Sequence, residues 1–447
     1  MNRRILGVEL RRSVALWISA IVVLVALGMF YLFSAPWTKG TVAWTEQLTT
    51  TSHWVRFMLV FLWPLAIGAG AIQGLRDHRS GMTELLGSTP RPALHRVAQT
   101  GFAIGLALTL AYAVLFAFGG VQAVAGGGYV SFSWLPATLV GVLGLVAGAW
   151  FGMGVSRAIP SPLVPPLLFV VALVVTIPLS IEGNGIPNQV ALLSPALFSM
   201  KSVFTTVSTA ATAGQALWLA GLAATGILLM VATTLRTRLA ALVPVALGVA
   251  LALAVLPSTP ATTYVVDTAA MEQVCDGPVC VSRMQEARLA SLTGPGTEAL
   301  RMLAKLPDPP TTVREFTGEV PDLTGRPRTA DAVTVVFETV RANQLPAADL
   351  TRLLVAGAGV PSCYSFNTAG ESVQREHTAR LVTAAYFTGE LKPLARSSYL
   401  NTGSMPEAER TWNTFRALPE PDQLARVQAA REIGVSCEGD QLEALTR

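Results

Sequence analysis

RDHRSGMTELLGSTPRPALHR, residues 76 to 96, is the longest charged stretch among the apolar segments of the first 257 residues. It holds Arg76, Asp77, His78, Arg79, Glu84, Arg91, His95 and Arg96, and apolar runs flank it on both sides. Crossing the roughly 30 Å hydrocarbon layer of a bilayer takes about 20 apolar residues. Both flanking runs meet that length, so the stretch reads as an intracellular connection between two membrane spans. Within it, Ser80 is placed to cap a short helix on which Met82, Leu85 and Leu86 share a face, while Pro90 and Pro92 limit its extension. An apolar face on a charged loop is a docking surface.

Working outward, spans are expected at 14 to 34, 54 to 75, 97 to 119, 134 to 156, 163 to 180, 214 to 235 and 239 to 257, seven in all. Before them, MNRRILGVELRRS (1 to 13) alternates arginines with Ile5, Leu6, Val8 and Leu10, the pattern of a helix lying in the membrane interface. With the N-terminus inside, the inner segments carry eleven arginines and the outer loops only Lys39 and Lys201. Positive charge stays inside, which sets the orientation. An odd number of spans then places residues 258 to 447 outside.

Composition divides the chain at the same place. Residues 1 to 257 hold 14 of the 32 Lys and Arg but 5 of the 28 Asp and Glu, a net charge of +9; the remainder carries -5. Basic loops beside anionic lipid account for the high pI without nucleic acid. The spans contain no Asp, Glu or Lys, and their one arginine, Arg56, is expected to snorkel to the outer interface. Gly144, Gly148 and Gly152, like Gly70 and Gly74, recur every fourth residue and suit close helix packing. Pro64 is expected to kink the second span.

After Pro257 an ordinary soluble pattern begins, and a mainly α-helical domain is expected over 258 to 447, large enough to bury its own core. Helical periodicity is clearest at 282 to 306 (broken near Gly294 and Pro295), 347 to 357, 372 to 387, 406 to 417 and 420 to 433; 332 to 340 suits a strand or a buried helix. All four cysteines lie here, as an oxidising compartment would allow. Cys275 and Cys280 flank a Gly277-Pro278 turn, leaving Cys363 and Cys437 as a second pair, although four cysteines permit three connectivities. No metal site is expected. His377 is the domain's sole histidine and reads as a surface residue, with neither an HExxH helix nor a GxSxG elbow in the chain. Nor is there a GxxxxGK[ST] loop, so any ATP energy must come from a partner. The chain does not read as an enzyme.

RDHRSGMTELLGSTPRP resembles the cytoplasmic loop after the second span in permeases of type-2 ATP-binding-cassette transporters. There a charged residue, a Gly-Thr pair and Glu-Leu-Leu precede a Ser-x-Pro. The matching positions are Asp77, Gly81, Glu84, Leu85, Leu86, Ser88 and Pro90, with Met82 interrupting the Gly-Thr pair. The resemblance covers roughly residues 1 to 235, while a seventh span carrying an outer domain departs from the family's six-span pattern. The whole is similar to permeases common in actinobacteria.

The resemblance implies an all-α polytopic protein of the bacterial cell membrane that serves as the permease subunit of an ATP-driven exporter. It implies a coupling helix within 76 to 96, with Asp77, Arg79, Met82, Glu84, Leu85 and Leu86 against a cytoplasmic ATPase. It also implies pairing with a second copy or a related permease, and ATP-Mg bound only in the ATPase. A different reading is a non-transporting sensor or envelope scaffold whose outer domain is the working part.

Overall fold

A computed structural model describes residues 15–34, 43–79, 93–181, 184–197, 202–317, 329–337, 345–364, 370–395 and 398–447. The expected interfacial helix at 1 to 13 lies outside these residues. Packing divides the chain into two units, Met1–Gly126 with Val130–Val266, and Gly127–Tyr129 with Asp267–Arg447.

Among the described residues of the first unit, five helices are long and apolar enough to cross a membrane: Ala15–Leu32, Val97–Ala125, Trp134–Ala158, Thr209–Val231 and Leu235–Val255. Leu48–Phe57 and Leu59–Gly74, bent by 54° where they meet, supply a sixth crossing if the pair counts as one. The expected span at 163 to 180 is the Val164–Leu179 helix of 16 residues. At 1.5 Å per residue it is about 24 Å long, short of the hydrocarbon thickness. Pro165 and Pro166 open it and Pro178 sits in its last turn, so the prolines bound its length. Length and composition therefore support five or six crossings, fewer than the seven read from hydropathy.

Pro64 lies inside Leu59–Gly74, while the bend falls earlier, at Met58. The Met58 carbonyl accepts from both Phe61 and Leu62 at 3.0 Å, a tightened turn that redirects the chain. The glycines are contact points. A Cβ on Gly70 would collide with the backbone of Ala149, and one on Gly152 with that of Ile67. Leu59–Gly74 and Trp134–Ala158 thus meet backbone to backbone. Leu167, Val170, Val174, Leu247 and Leu251 are each more than half exposed, an outward apolar surface suited to lipid as solvent.

Composition changes at Pro257, yet the first unit continues to Val266. Asn188 holds this segment by donating to the Pro257 carbonyl (2.8 Å) and to Thr263 Oγ1 (3.0 Å). Strand β1 (Thr205–Val207) then pairs antiparallel with β2 (Tyr264–Val266).

The second unit contains a four-stranded sheet of β3 (Gln273–Asp276), β4 (Val279–Ser282), β5 (Thr312–Glu315) and β6 (Ala332–Val335), in that order. The β3–β4 hairpin is antiparallel, and β4–β5 and β5–β6 are parallel. Gly277, at φ +60°, makes the hairpin turn and sets Cys275 directly opposite Cys280. The first part of 332 to 340 is thus a strand.

Helix Glu286–Leu303 crosses from β4 to β5 and runs unbroken through Gly294 and Pro295. Its packing outweighs the proline penalty: Leu292, Ala299 and Leu303 enter one core with Val279, Val313 and Val333. Helices Ala347–Val355, Glu371–Thr388, Ser398–Phe415, Glu420–Ser436 and Gln441–Thr446 complete the unit. Its disulfides are Cys275–Cys280 and Cys363–Cys437.

Candidate functional site

The charged connection begins at the end of Leu59–Gly74. After Leu75 the chain forms a short turn of helix, Arg76–Arg79, with the Arg79 side chain exposed, and the next helix, Ala93–Ala125, starts fourteen positions later. Met82, Glu84, Leu85 and Leu86 lie outside the described residues, as does the side chain of Asp77. The two ends of the loop are therefore placed, and the contact set inferred from the motif is not.

The most unusual polar arrangement in the first unit surrounds Arg56. It does not snorkel; its side chain is fully buried. Helix Leu48–Phe57 turns it inward, where Nε donates to the Pro195 carbonyl at 3.0 Å and Nη2 donates to Gln215 Oε1. Gln215, also fully buried, donates from Nε2 to the carbonyls of Leu192 and Ser194, both at 2.9 Å. Arginine and glutamine together staple the 192–195 segment to two helices.

No described carboxylate pairs with Arg56, and its Nη1 has no hydrogen-bond partner; neither do the Tyr112 hydroxyl and His53 Nδ1. A buried cation is costly unless hydrogen-bonded, and here only a carbonyl and an amide meet that need. Sequence reasoning singles out neither Gln215 nor Tyr112. A lone Gln in the apolar run of Thr209–Val231 is the signal that points to the first.

In the second unit, His377 is buried, a correction to the surface reading. Position 377 faces the core of Glu371–Thr388, and its Nε2 is 2.8 Å from Asn401 Oδ1. Burial pushes its pKa below the usual imidazole value, with the Asn401 bond opposing. Its partner is thus an amide and not a nucleophile. Beside it, Glu376 Oε1 accepts from the Cys363 amide at 2.8 Å, tying the helix to the Cys363–Cys437 disulfide.

Glu315, at the end of β5, is pushed up to about 7 by burial, against the hydrogen bond from the Ser282 amide at 2.6 Å. Among the described residues no group of three His, Cys, Asp or Glu side chains is arranged to hold a metal ion. Compared with protein-family models, curated proteins and solved structures, the chain matches none.

Proposed function

We propose that the chain is the permease subunit of an ATP-driven exporter in a bacterial cell membrane, coupled through loop 76–96 to a cytoplasmic ATPase. The observation that carries this reading is the loop itself: a charged segment bearing Glu84-Leu85-Leu86, tethered between two apolar helices that end at Gly74 and begin at Ala93. Met82, Leu85 and Leu86 would fill an apolar groove on the ATPase, with Arg79 and Glu84 pairing at its rim. The chain has no P-loop, so hydrolysis belongs to the partner, and a second permease completes the path.

Topology belongs to the same proposal. Val164–Leu179 serves as a seventh, short span, because without it Arg236 and Arg238 would fall outside and the four cysteines inside. A short span is accommodated by local thinning of the bilayer. The large apolar core and two disulfides of the second unit favour one other reading, a sensor or scaffold worked by that unit.

Purifying the tagged chain from its native membrane in mild detergent, with and without Glu84→Arg and Leu85→Asp together, tests the proposal. An ATP-binding-cassette ATPase retained by the wild type and lost from a folded, membrane-inserted double variant is the expected result. If crosslinking before extraction retains no such subunit on either, the exporter reading falls and the sensor takes its place.

A further inference from the structure

A groove of about 440 Å³ opens on the first unit between three helices, Ala15–Met29, Leu59–Gly74 and Val164–Leu179. Ile18, Ile21, Leu65, Ile72 and Phe169 form its apolar walls. Gly68 keeps the floor shallow and the helices together, since a Cβ there would stand 3.1 Å from that of Phe169. Ile21 and Ile72 are each 45% exposed at the opening. The groove is therefore an accessible apolar channel.

Among the described residues, its one charged lining residue is Arg79. That residue lies just over one helical turn beyond the end of Leu59–Gly74, and Pro162, also in the lining, lies two residues before Val164–Leu179. In the orientation proposed above, both fall where apolar helices leave the hydrocarbon. From Ile72 to Leu65 the helix descends about 10 Å. The groove thus joins a cation at headgroup depth to an apolar slot at acyl-chain depth.

We infer that this groove binds an anionic phospholipid, with one acyl chain laid between Ile18, Ile72 and Phe169 and the phosphate on Arg79. Basic pockets between spans at the interface select anionic headgroups in this way. The fit combines two sources of affinity. An acyl chain in the slot exchanges disordered lipid for close van der Waals contact with a shaped apolar wall, and the guanidinium forms charge-assisted hydrogen bonds to phosphate oxygens. A zwitterionic headgroup shares the phosphate but carries its own cation, which Arg79 repels. One arginine at the surface supports a preference of about five-fold. The inference rests on the span assignment proposed above but not on the ATPase contact; it gives Arg79 to lipid in place of the rim of the ATPase groove, and the lipid titration below tests it without the ATPase.

The test uses the full chain in neutral detergent, titrated separately with dioleoyl phosphatidylglycerol and dioleoyl phosphatidylcholine and read by native mass spectrometry. The wild type is expected to hold the first about five-fold better. Arg79→Gln should equalise the two lipids, and Ile72→Trp, which fills the slot from its rim, should weaken both. A phosphatidylglycerol carrying a photoactivatable diazirine in its acyl chain should label peptides containing Ile18, Ile72 or Phe169. A preference that survives Arg79→Gln overturns the inference, as does labelling confined to other helices of the wild type. Because labelling needs no variant, a misfolded substitution does not rescue the idea.

Discussion

In the membrane unit Arg56 is met by a carbonyl and an amide, whereas in the second unit Arg352 is met by two carboxylates, Asp349 and Glu390, each at 2.9 Å. Both guanidinium groups are buried. The difference follows from what each unit has to offer. The spans lack acidic residues, and a carboxylate would bring its own desolvation cost into a low-dielectric interior. Dipoles from Pro195 and Gln215 take its place. Where water borders the unit, as at the half-exposed Glu390, a carboxylate costs little and serves as partner.

The small residues differ in the same sense. Gly70, Gly152 and Gly226 of the membrane unit sit where helices touch backbone to backbone, whereas one exposed helical glycine of the second unit, Gly403, faces only the tip of the Gln374 side chain. One unit is joined by close backbone approach. The other is joined by side-chain volume around Leu292, Leu381 and Phe415.

The sharpest way to break this comparison is at Gln215. Gln215→Leu removes an acceptor from Arg56 and strands the Leu192 and Ser194 carbonyls. It should cost about 4 kcal/mol, the scale for breaking a buried charge's partnership. Arg56→Met combined with Gln215→Leu should recover much of that loss. Thermal unfolding of the full chain in detergent ranks the variants. If the double variant is no more stable than the single one, neutral partners are not what holds the cation.

A smaller effect is expected from pH. Glu315 has a folded pKa of about 7 against an ordinary 4.5. Below pH 4.5 it is protonated in both states and its stabilisation is fully present; as pH rises through 7 that stabilisation is lost, on the order of 3 kcal/mol. His377 tilts the other way, losing stability as pH falls below its ordinary value of 6.5. Glu315→Gln should flatten the Glu315 contribution alone, so the difference in second-unit melting midpoint between wild type and variant should grow from pH 4 to pH 8. A constant difference would mean that folding leaves the Glu315 pKa unshifted.

The smallest expected change has the opposite sign. Gly403→Ala should stabilise the second unit by about 0.5–1 kcal/mol through helix propensity, because its Cβ meets a flexible amide at 3.2 Å. The same exchange at Gly152 should destabilise by about 1 kcal/mol or more, because the Cβ meets the Ile67 backbone. Parallel melts of the two variants show whether the glycines differ as described.

Hydropathy made the spans legible, since a run of about 20 apolar residues matches the thickness of a bilayer and exceeds what most soluble cores can bury. At 163 to 180 it set the span's place but not its length, because residue counting ignores that prolines at both ends bound the helix to 16 residues. Gly277 made the Cys275–Cys280 hairpin readable, because a tight turn between two cysteines leaves little freedom. Burial of His377 was not readable, because the apolar positions of Glu371–Thr388 follow several neighbours at once and mark no single face. Nor was the inward turn of Arg56, which depends on acceptors far away in the chain. Continuity through Pro295 likewise depends on the strands beneath it. Local rules reached what local residues decide. The loop expected to dock, 82 to 86, remains a reading of its motif.

The distance in sequence between Arg56 and its acceptors has a consequence for biosynthesis. Pro195 and Gln215 lie 139 and 159 positions downstream. A ribosome adding 5–20 residues per second takes roughly 10 to 30 s to reach them. Throughout that interval the growing chain holds a cation whose final ligands do not exist. The final seat of the Leu48–Phe57 segment, polar on its own, is thus completed only after Gln215 has been made.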